Sequence, residues 1–219
     1  MKKIFLAVIL LLTSCAPATA VVTPQLVKVN VSPAASSKMA DLYNCSTPST
    51  VIFLSDPGTA ELSLRLGPPD QLSSPAYQIG TDDVDVIVSS QNQVGQLTVE
   101  QVHSIFLGQV TDWKEVGGPD TPIQVWTYAP GEDIQQIFER NAMDGQRVTA
   151  SSARLAVSAR DMLDSVSKDD SSIGFLPHSL ETSNVRKVYK VAAAPLLVML
   201  KAQSDPRTRE LVACLQGQK

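Results

Sequence analysis

The sequence predicts an α/β fold. Segments that are apolar, or that alternate between apolar and polar residues as strands do, are separated along the chain by segments with helical spacing. The strand-like segments are Leu26–Val31, Thr50–Leu54, Ala76–Val88, Ile123–Thr127, Ile173–Phe175, Val185–Val191 and Pro195–Leu200. With 219 residues, of which 43% are hydrophobic and 18% charged, the chain can bury a core.

The most informative segment is Leu97–Phe138, which begins with a clearly marked helix. Thr98 can cap this helix, and Gln101 follows at the spacing of a capping box. Apolar residues then recur at helical intervals, and Gly108 stands where a helix commonly ends. The apolar residues are Val99, Val102, Ile105 and Phe106. We therefore predict a helix between Thr98 and Gly108.

The same segment continues with a strand, a loop and a second helix. The strand Ile123–Thr127 leads into the loop Tyr128–Asp133, and an apolar face marks the helix that follows. This face consists of Ile134, Ile137 and Phe138. Because the first amides of a helix have no intrahelical partner, a loop with a glycine before a helix can bind an anion. Because this geometry is common, it only makes this loop, which contains Gly131, a candidate anion-binding site.

The remaining helices are marked less clearly. One is expected through Met39–Tyr43, and another is expected to begin at a cap formed by Ser151 or Ser152. The apolar residues of the second are Leu155, Met162, Leu163 and Val166. The segment Ala60–Leu66 has some helical content with ambiguous apolar spacing. Asp205-Pro206 predicts the start of the last helix.

The N-terminus has the features of an export signal. Two lysines precede the apolar run Ile4–Leu12, which is too short to remain as a membrane-spanning helix. The next residues, Leu-Thr-Ser-Cys, resemble a bacterial lipobox, in which the cysteine becomes the lipidated first residue. We predict a lipoprotein signal peptide at residues 1–14, lipid on Cys15, and a tether at residues 15–25. The alternative is an ordinary signal peptide that is cleaved within Ala18-Thr19-Ala20.

The charge of the chain argues against nucleic acid as a partner. The formal net charge is −4, and removal of Lys2 and Lys3 with the signal peptide takes it to −6. Basic residues are scattered, and no basic run is longer than Arg186-Lys187. A chain of this kind lacks the positive surface that attracts nucleic acid. Beyond the signal, no segment approaches the length of a transmembrane helix.

The cysteines and histidines limit the possible chemistry. If Cys15 carries lipid, Cys45 and Cys214 remain, and in an oxidising compartment such a pair is more often bridged than free. We predict a disulfide, with two buried thiols as the alternative. His103 and His178 stand alone, and no motif has the spacing of metal ligands or of a catalytic nucleophile. We expect no metal, no cofactor and no enzymatic activity.

The residues LTVEQVHSIFLGQVTDWKEVGG, from Leu97 to Gly118, and the strand–loop–helix after them resemble the second lobe of phosphate-type periplasmic substrate-binding proteins of ABC transporters. In that family a helix–Gly–x–hydrophobic–Thr–x–Trp block is followed by a strand and a Gly-Ser-Gly-Thr loop that grips phosphate. The resemblance is strong from Tyr77 to Phe138, patchier within residues 171–180, and weak before Ala76.

The resemblance implies a two-lobed, type II periplasmic binding protein-like fold, with a small mixed sheet and flanking helices in each lobe. Lobe I is expected from residues 26–86 with 190–219, and lobe II from residues 87–189. Ligand-binding positions are implied at Ser32, Ser36, Ser55, Thr127, Tyr128, Gly131, Glu132, Asp133 and Ile134. For Ser32 and Ser36, helix capping alone is the alternative.

The ligand loop departs from the family pattern. Where the family has Gly-Ser-Gly-Thr, this chain has Gly131-Glu132-Asp133-Ile134, and Tyr128 stands where the family often has arginine. A carboxylate in contact with phosphate costs about 4 kcal/mol per unit charge pair at an effective dielectric constant near 20. Two such pairs would cancel the roughly 8 kcal/mol of a micromolar affinity. Alternatively, Glu132 and Asp133 favour the helix dipole and face solvent.

Three functions remain open at this point. The first is a lipid-anchored extracytoplasmic protein that binds a small solute, an oxyanion or another small polar ligand, and works with an ABC permease as a monomer. The second is a degenerate member of the same family that acts as a sensor or partner-binding lipoprotein without binding phosphate. The third is an exported enzyme of unrelated chemistry. The loop chemistry favours a cation, a polar neutral solute or no ligand over phosphate.

We predict that Cys15 carries lipid, because Leu12-Thr13-Ser14-Cys15 directly follows an apolar run. Intact-mass analysis of the protein from the membrane fraction should give a mature N-terminus at Cys15 with a diacylglycerol adduct, and Cys15→Ser should release the protein from that fraction. An N-terminus downstream of Cys15, without the lipid mass, would contradict the prediction.

Overall fold

The structure is a computed structural model that describes residues 25–46, 50–54, 56–180, 182–201 and 205–217. In these ranges eight strands form one mixed sheet in the order β2-β1-β3-β8-β4-β7-β5-β6. The strands are β1 (Gln25–Val31), β2 (Thr50–Leu54), β3 (Leu62–Leu66), β4 (Ala76–Ser89), β5 (Gln124–Tyr128), β6 (Arg154–Ala156), β7 (Ser172–Pro177) and β8 (Val185–Leu200). The α-helices are α1 (Met39–Asn44), α2 (Val99–Leu107), α3 (Asp133–Ala142), α4 (Ala159–Ser167) and α5 (Pro206–Leu215).

Two long antiparallel strands, β4 and β8, form the middle of the sheet. They contain 14 and 16 residues, well above the usual strand length. Their register runs from Ala76 opposite Met199 to Ser89 opposite Val185. The group β2-β1-β3 joins β8 near one end of this pair, and the group β7-β5-β6 joins β4 near the other. The lobe boundaries inferred from the sequence stay a prediction within this continuous sheet.

The helix signals that the sequence carries most clearly are confirmed. Thr98 caps α2 through a complete capping box with Gln101, and Gly108 ends the helix in the left-handed conformation at φ 76°. This left-handed conformation disfavours any residue with a side chain at position 108. A Cβ atom on Gly108 would also lie only 2.9 Å from the Cα atom of Ala150. Asp205 caps α5, as expected from Asp205-Pro206.

The structure resolves one segment that was ambiguous in the sequence, corrects the start of one predicted helix and joins two predicted strands into one. The segment within Ala60–Leu66 forms strand β3, since Leu62, Leu64 and Leu66 alternate with more exposed residues on a sheet surface. The helix expected from Ser151 or Ser152 begins only at Ala159, after Ser158 as its cap, and Leu155 lies in β6. The two strand-like segments from Val185 and Pro195 are one uninterrupted strand, β8.

An aromatic cluster fixes α2 and α3 against the sheet. The ring of Phe138 in α3 is stacked on Phe175 of β7 with centroids 4.1 Å apart, and Phe106 of α2 lies 4.5 Å from Phe138. Tyr128 packs edge-on against Phe175 at 5.4 Å. These rings are almost completely buried, so the position of α3 is set by packing.

Among the described residues, no helix is long and apolar enough to cross a bilayer.

Cys45, at the end of α1, and Cys214, in α5, are joined by a disulfide with their Cα atoms 5.7 Å apart. The bond connects positions 169 residues apart in the sequence. It therefore ties the early part of the chain, next to β1, to the last helix.

We predict that the disulfide Cys45–Cys214 stabilises the fold by about 5 kcal/mol, because it closes a very long loop in the unfolded chain. Alkylation without reductant should label neither cysteine, and Cys45→Ser with Cys214→Ser should lower the free energy of unfolding by that amount. Labelling of both cysteines in the native, unreduced protein would contradict the prediction.

Candidate functional site

Three strand ends and one helix N-terminus meet at the candidate site. β1 and β3 are parallel neighbours, and each leaves the sheet here, β1 before Ser32 and β3 at Leu66. On the other side, β5 ends at Tyr128 and its loop leads into α3 at Asp133. Ligand sites in α/β proteins commonly form at such carboxyl ends of strands. The structure thus places side by side the two junctions at which the resemblance implies ligand-binding residues.

Asp133 joins the two sides of this site directly. Its Oδ2 atom accepts a hydrogen bond from Ser32 Oγ at 2.5 Å and another from the backbone N–H of Leu66 at 2.7 Å. Its Oδ1 atom accepts from the N–H of Ile134 at 2.8 Å, within the first turn of α3. The side chain is only 4% exposed. A buried carboxylate needs such donors, since it loses its hydration shell.

The rest of α3 contacts the same region through residues one turn apart. Gln136 Oε1 accepts a hydrogen bond from the guanidinium of Arg65 at 3.3 Å. Ile137 packs against Gly67, where an added Cβ atom would lie 3.0 Å from its Cδ1 atom. Arg140 forms an ion pair with Asp70 at 2.8 Å on the surface. One face of α3 is thereby docked on β3 and on the loop after it.

A cleft of about 530 Å³ opens beside the Asp133 contacts. Its walls come from the ends of β1, β3 and β8 and from the loop before α3. Both signs of charge line it. The ionisable lining residues are Glu61, Arg65, Glu132, Asp133 and Lys201. Serine hydroxyls at positions 32, 63 and 74 add neutral polar groups. A cleft of this size and mixed polarity fits a small polar molecule.

Of the positions nominated from the sequence, four line this cleft: Ser32, Gly131, Glu132 and Asp133. The capping role considered for Ser32 is present, since Oγ accepts from the N–H of Ala35 and so caps a short 3-10 helix, and its ligand-binding role stays a prediction. Ser36 lines a smaller adjoining cavity of about 280 Å³, and its hydroxyl donates to the carbonyl of Pro33. Ser55 lies outside the described residues.

The other three nominated side chains point into the protein. Thr127 Oγ1 and the N–H of Tyr128 both donate to Oε1 of Gln135, so this junction is satisfied internally. Ile134 is fully buried in the core. The hydroxyl of Tyr128 is buried without a hydrogen-bond partner among the described residues. Burial, and secondly the nearby negative charge of Asp133, raise the pKa of this phenol.

A family model described as a PBP superfamily domain matches residues 74–209, more than half of the 219-residue chain. The chain belongs to the PBP superfamily. The resemblance inferred from Leu97–Gly118 is therefore confirmed at the level of the family.

Solved structures share the fold of this PBP superfamily member. One is a protein from Clostridium perfringens that is described as a phosphate ABC transporter substrate-binding protein and was solved with bound phosphate. It is 19% identical to this chain, and the two structures superpose with a TM-score of 0.78 over 87% of this chain and 93% of that one. An ABC-type phosphate transport receptor from Vibrio cholerae is 21% identical with a TM-score of 0.65, over the same shares. The reduced regulatory domain of OxyR2 from Vibrio vulnificus is 11% identical, with a TM-score of 0.62 over 90% of this chain and 97% of that one. The predicted two-lobed α/β fold is confirmed.

The suggestion that both acids of the loop face solvent is wrong for Asp133, which is buried, and Glu132 is only partly exposed. Glu132 precedes α3 without capping it through its side chain. Partial burial, and secondly the charge of Asp133, raise the pKa of the Glu132 carboxyl. Both neighbouring acids thus line the cleft, but they differ: Asp133 is held by three donors, whereas the side chain of Glu132 does not cap α3.

Sequence reasoning missed several cleft residues on β3 and at the end of β8. Arg65 and Ser63 lie between the buried leucines of β3, and Lys201 directly follows β8. The alternation Leu-Ser-Leu-Arg-Leu at residues 62–66 could have identified a strand with one polar face. The placement of Lys201 carries no local signal, because it depends on how β8 pairs with β3.

We predict that Asp133→Asn lowers the pKa of Glu132 toward its ordinary value, because it removes the neighbouring charge that disfavours ionisation. The carboxyl ¹³C shift of Glu132 should be followed by NMR from pH 3 to 8. Because the folded pKa is raised, protonated Glu132 favours the folded state at acidic pH, and this contribution is lost as the pH rises through that pKa.

Asp164→Asn is the matched control, since Asp164 is a half-exposed acid on α4 that does not contribute to the shift. An unchanged pKa of Glu132 in Asp133→Asn would show that burial alone sets it.

Proposed function

We propose that this chain is an extracytoplasmic solute-binding protein that supplies a small polar solute to an ABC permease. The observation that carries the proposal is the cleft of about 530 Å³ between the ends of β1, β3 and β8 and the loop before α3. The proteins from Clostridium perfringens and Vibrio cholerae, which share the fold, are described as parts of phosphate ABC transport systems. Membership of the PBP superfamily supports the same general role.

The proposed solute is small and polar, and it is different from inorganic phosphate. The hydroxyl of Ser32 and the N–H of Leu66 are donors suited to an oxyanion, but both are already bonded to Asp133. A phosphate placed beside this carboxylate would meet a repulsion of about 4 kcal/mol per charge pair at an effective dielectric constant near 20. Arg65 and Lys201, together with Glu61 and Glu132, would instead suit a neutral or zwitterionic solute with several hydrogen-bonding groups.

The location that we propose follows from the N-terminal signal and from the fold. Lipid on Cys15 would hold the protein at the membrane, facing the periplasm or the cell exterior, with residues 15–25 as the tether. A monomer is expected, as is a permease partner that receives the solute. The net charge of −4 gives no support to a nucleic-acid partner.

A second candidate function is a sensor or partner-binding lipoprotein that binds no solute. It is favoured by the contacts of Asp133, which join the two sides of the site through groups of the protein itself. The OxyR2 regulatory domain has a related fold, so a fold of this kind also occurs in a domain that is named for regulation. The two candidates differ in whether a small molecule stabilises the mature domain.

A thermal-shift screen of amino acids, polyols, sugars, cations and oxyanions on the mature domain tests the proposal. A true ligand at 100 times its dissociation constant adds about 2.7 kcal/mol of stability, which raises the melting temperature by several degrees. Lys201→Ala should reduce that shift, whereas Lys168→Ala should not, because Lys168 is an exposed lysine that does not line the cleft. If no solute class shifts the melting temperature, the second function is favoured.

We predict that the wild-type mature domain does not bind inorganic phosphate at micromolar concentrations, because Asp133 occupies the donors that would hold it. Isothermal titration calorimetry at neutral pH should give heats that equal those of a chloride titration at matched ionic strength. A micromolar dissociation constant would show that other donors of the cleft form a phosphate site.

A further inference from the structure

Among the described residues, no neighbouring strand accepts a hydrogen bond from the N–H of Leu66, the last residue of β3. The next amide, that of Gly67, donates to the carbonyl of Pro195 in β8 at 2.7 Å. Because successive N–H groups of a strand point to opposite edges, the N–H of Leu66 points toward β1, which has already left the sheet at Ser32. This buried amide is satisfied by the carboxylate of Asp133, which reaches it from a position 67 residues away in the sequence.

The two donors to Oδ2 of Asp133 belong to one side of the site, and the acceptor belongs to the other. Ser32 and Leu66 are at the ends of β1 and β3, whereas Asp133 is the first residue of α3. An ionised acceptor forms stronger hydrogen bonds than a neutral one, which suits a contact that must hold two parts of a protein together. Within the part of the chain that the structure describes, the side chain of Glu132, one residue earlier, makes no such bond.

We propose that Asp133 is an internal latch that closes the site in place of a bound anion. The carboxylate holds the N-terminus of α3 against the ends of β1 and β3, and the contacts of Gln136, Ile137 and Arg140 continue this closure along the same helix face. Closure then needs no solute atom, and an external oxyanion must displace a tethered carboxylate to reach Ser32 and Leu66. The latch operates whether or not the chain serves an importer.

Hydrogen exchange at the amide of Leu66 tests the latch on the mature domain. Asp133→Ala should speed exchange of this amide at least about tenfold, because a hydrogen bond to a charged acceptor that protects it is lost. Glu132→Ala is the matched control and should leave it unchanged, since the side chain of this neighbouring acid does not cap α3 and no hydrogen bond joins it to the other side among the described residues. If Asp133→Ala speeds exchange only within α3 and leaves Leu66 protected, Asp133 acts on its own helix alone and the proposal is overturned.

A double-mutant cycle gives a second test that does not depend on a fully stable Asp133→Ala variant. Ser32→Ala removes one donor to Oδ2 and also the cap that the same hydroxyl gives to the N–H of Ala35, while it retains the backbone. If the hydroxyl acts through the carboxylate, Ser32→Ala should lower the melting temperature clearly more in the wild type than in Asp133→Ala, where only the cap remains to be lost. Equal effects of Ser32→Ala in the two backgrounds would show that Ser32 and Asp133 stabilise the protein independently, and would overturn the latch.

Discussion

The pairing of β4 with β8 is the constraint on which the other elements depend, because every other strand attaches to this pair either directly or through a neighbour. The register is interrupted at three places, between Gln78 and Gly80, between Val84 and Asp85, and between Val86 and Ile87. Such irregularities bend and twist a strand pair. A long and locally twisted pair thus carries two separate groups of strands at its ends and still leaves one continuous sheet.

This arrangement brings together groups that are remote in the sequence. The hydroxyl of Ser32 lies 101 residues from Asp133, and the amide of Leu66 lies 67 residues from it. Because the aromatic rings of Phe138 and Phe175 fix α3 on the sheet, the carboxylate is held in place by packing as well as by its hydrogen bonds. A buried charge with three donors is therefore part of the folded core and of the candidate site at the same time.

The fold by itself leaves the function undetermined. Proteins of phosphate transport systems and a regulatory domain have folds related to that of this chain, at 11% to 21% identity. What separates such functions is the chemistry of a few side chains at the strand ends. Here the chemistry is a carboxylate at the donors and a cleft that Arg65 and Lys201 line together with acids. This combination is the basis of our proposal that the solute differs from phosphate, and it is the reason to test solute binding directly.

Local sequence determined those features whose signals lie within a few residues. The capping box of Thr98 and Gln101, the stop at Gly108 and the cap at Asp205 identified their helices correctly, since capping bonds form between near neighbours. The strand, loop and helix that lie on either side of Asp133 were also visible in the sequence, as was the resemblance to a family. These features predicted the fold class and nominated the loop.

The tertiary structure alone decided which of two adjacent acids is buried, and which strand supplies the cleft with Arg65. Glu132 and Asp133 are equivalent in any local pattern, and only the donors of Ser32 and Leu66 distinguish them. The segment of Arg65 was ambiguous in the sequence because its helical or extended state depends on pairing with β1 and β8. Contacts between distant segments are absent from local sequence, so the sequence could nominate the site but could not show which of its groups face one another.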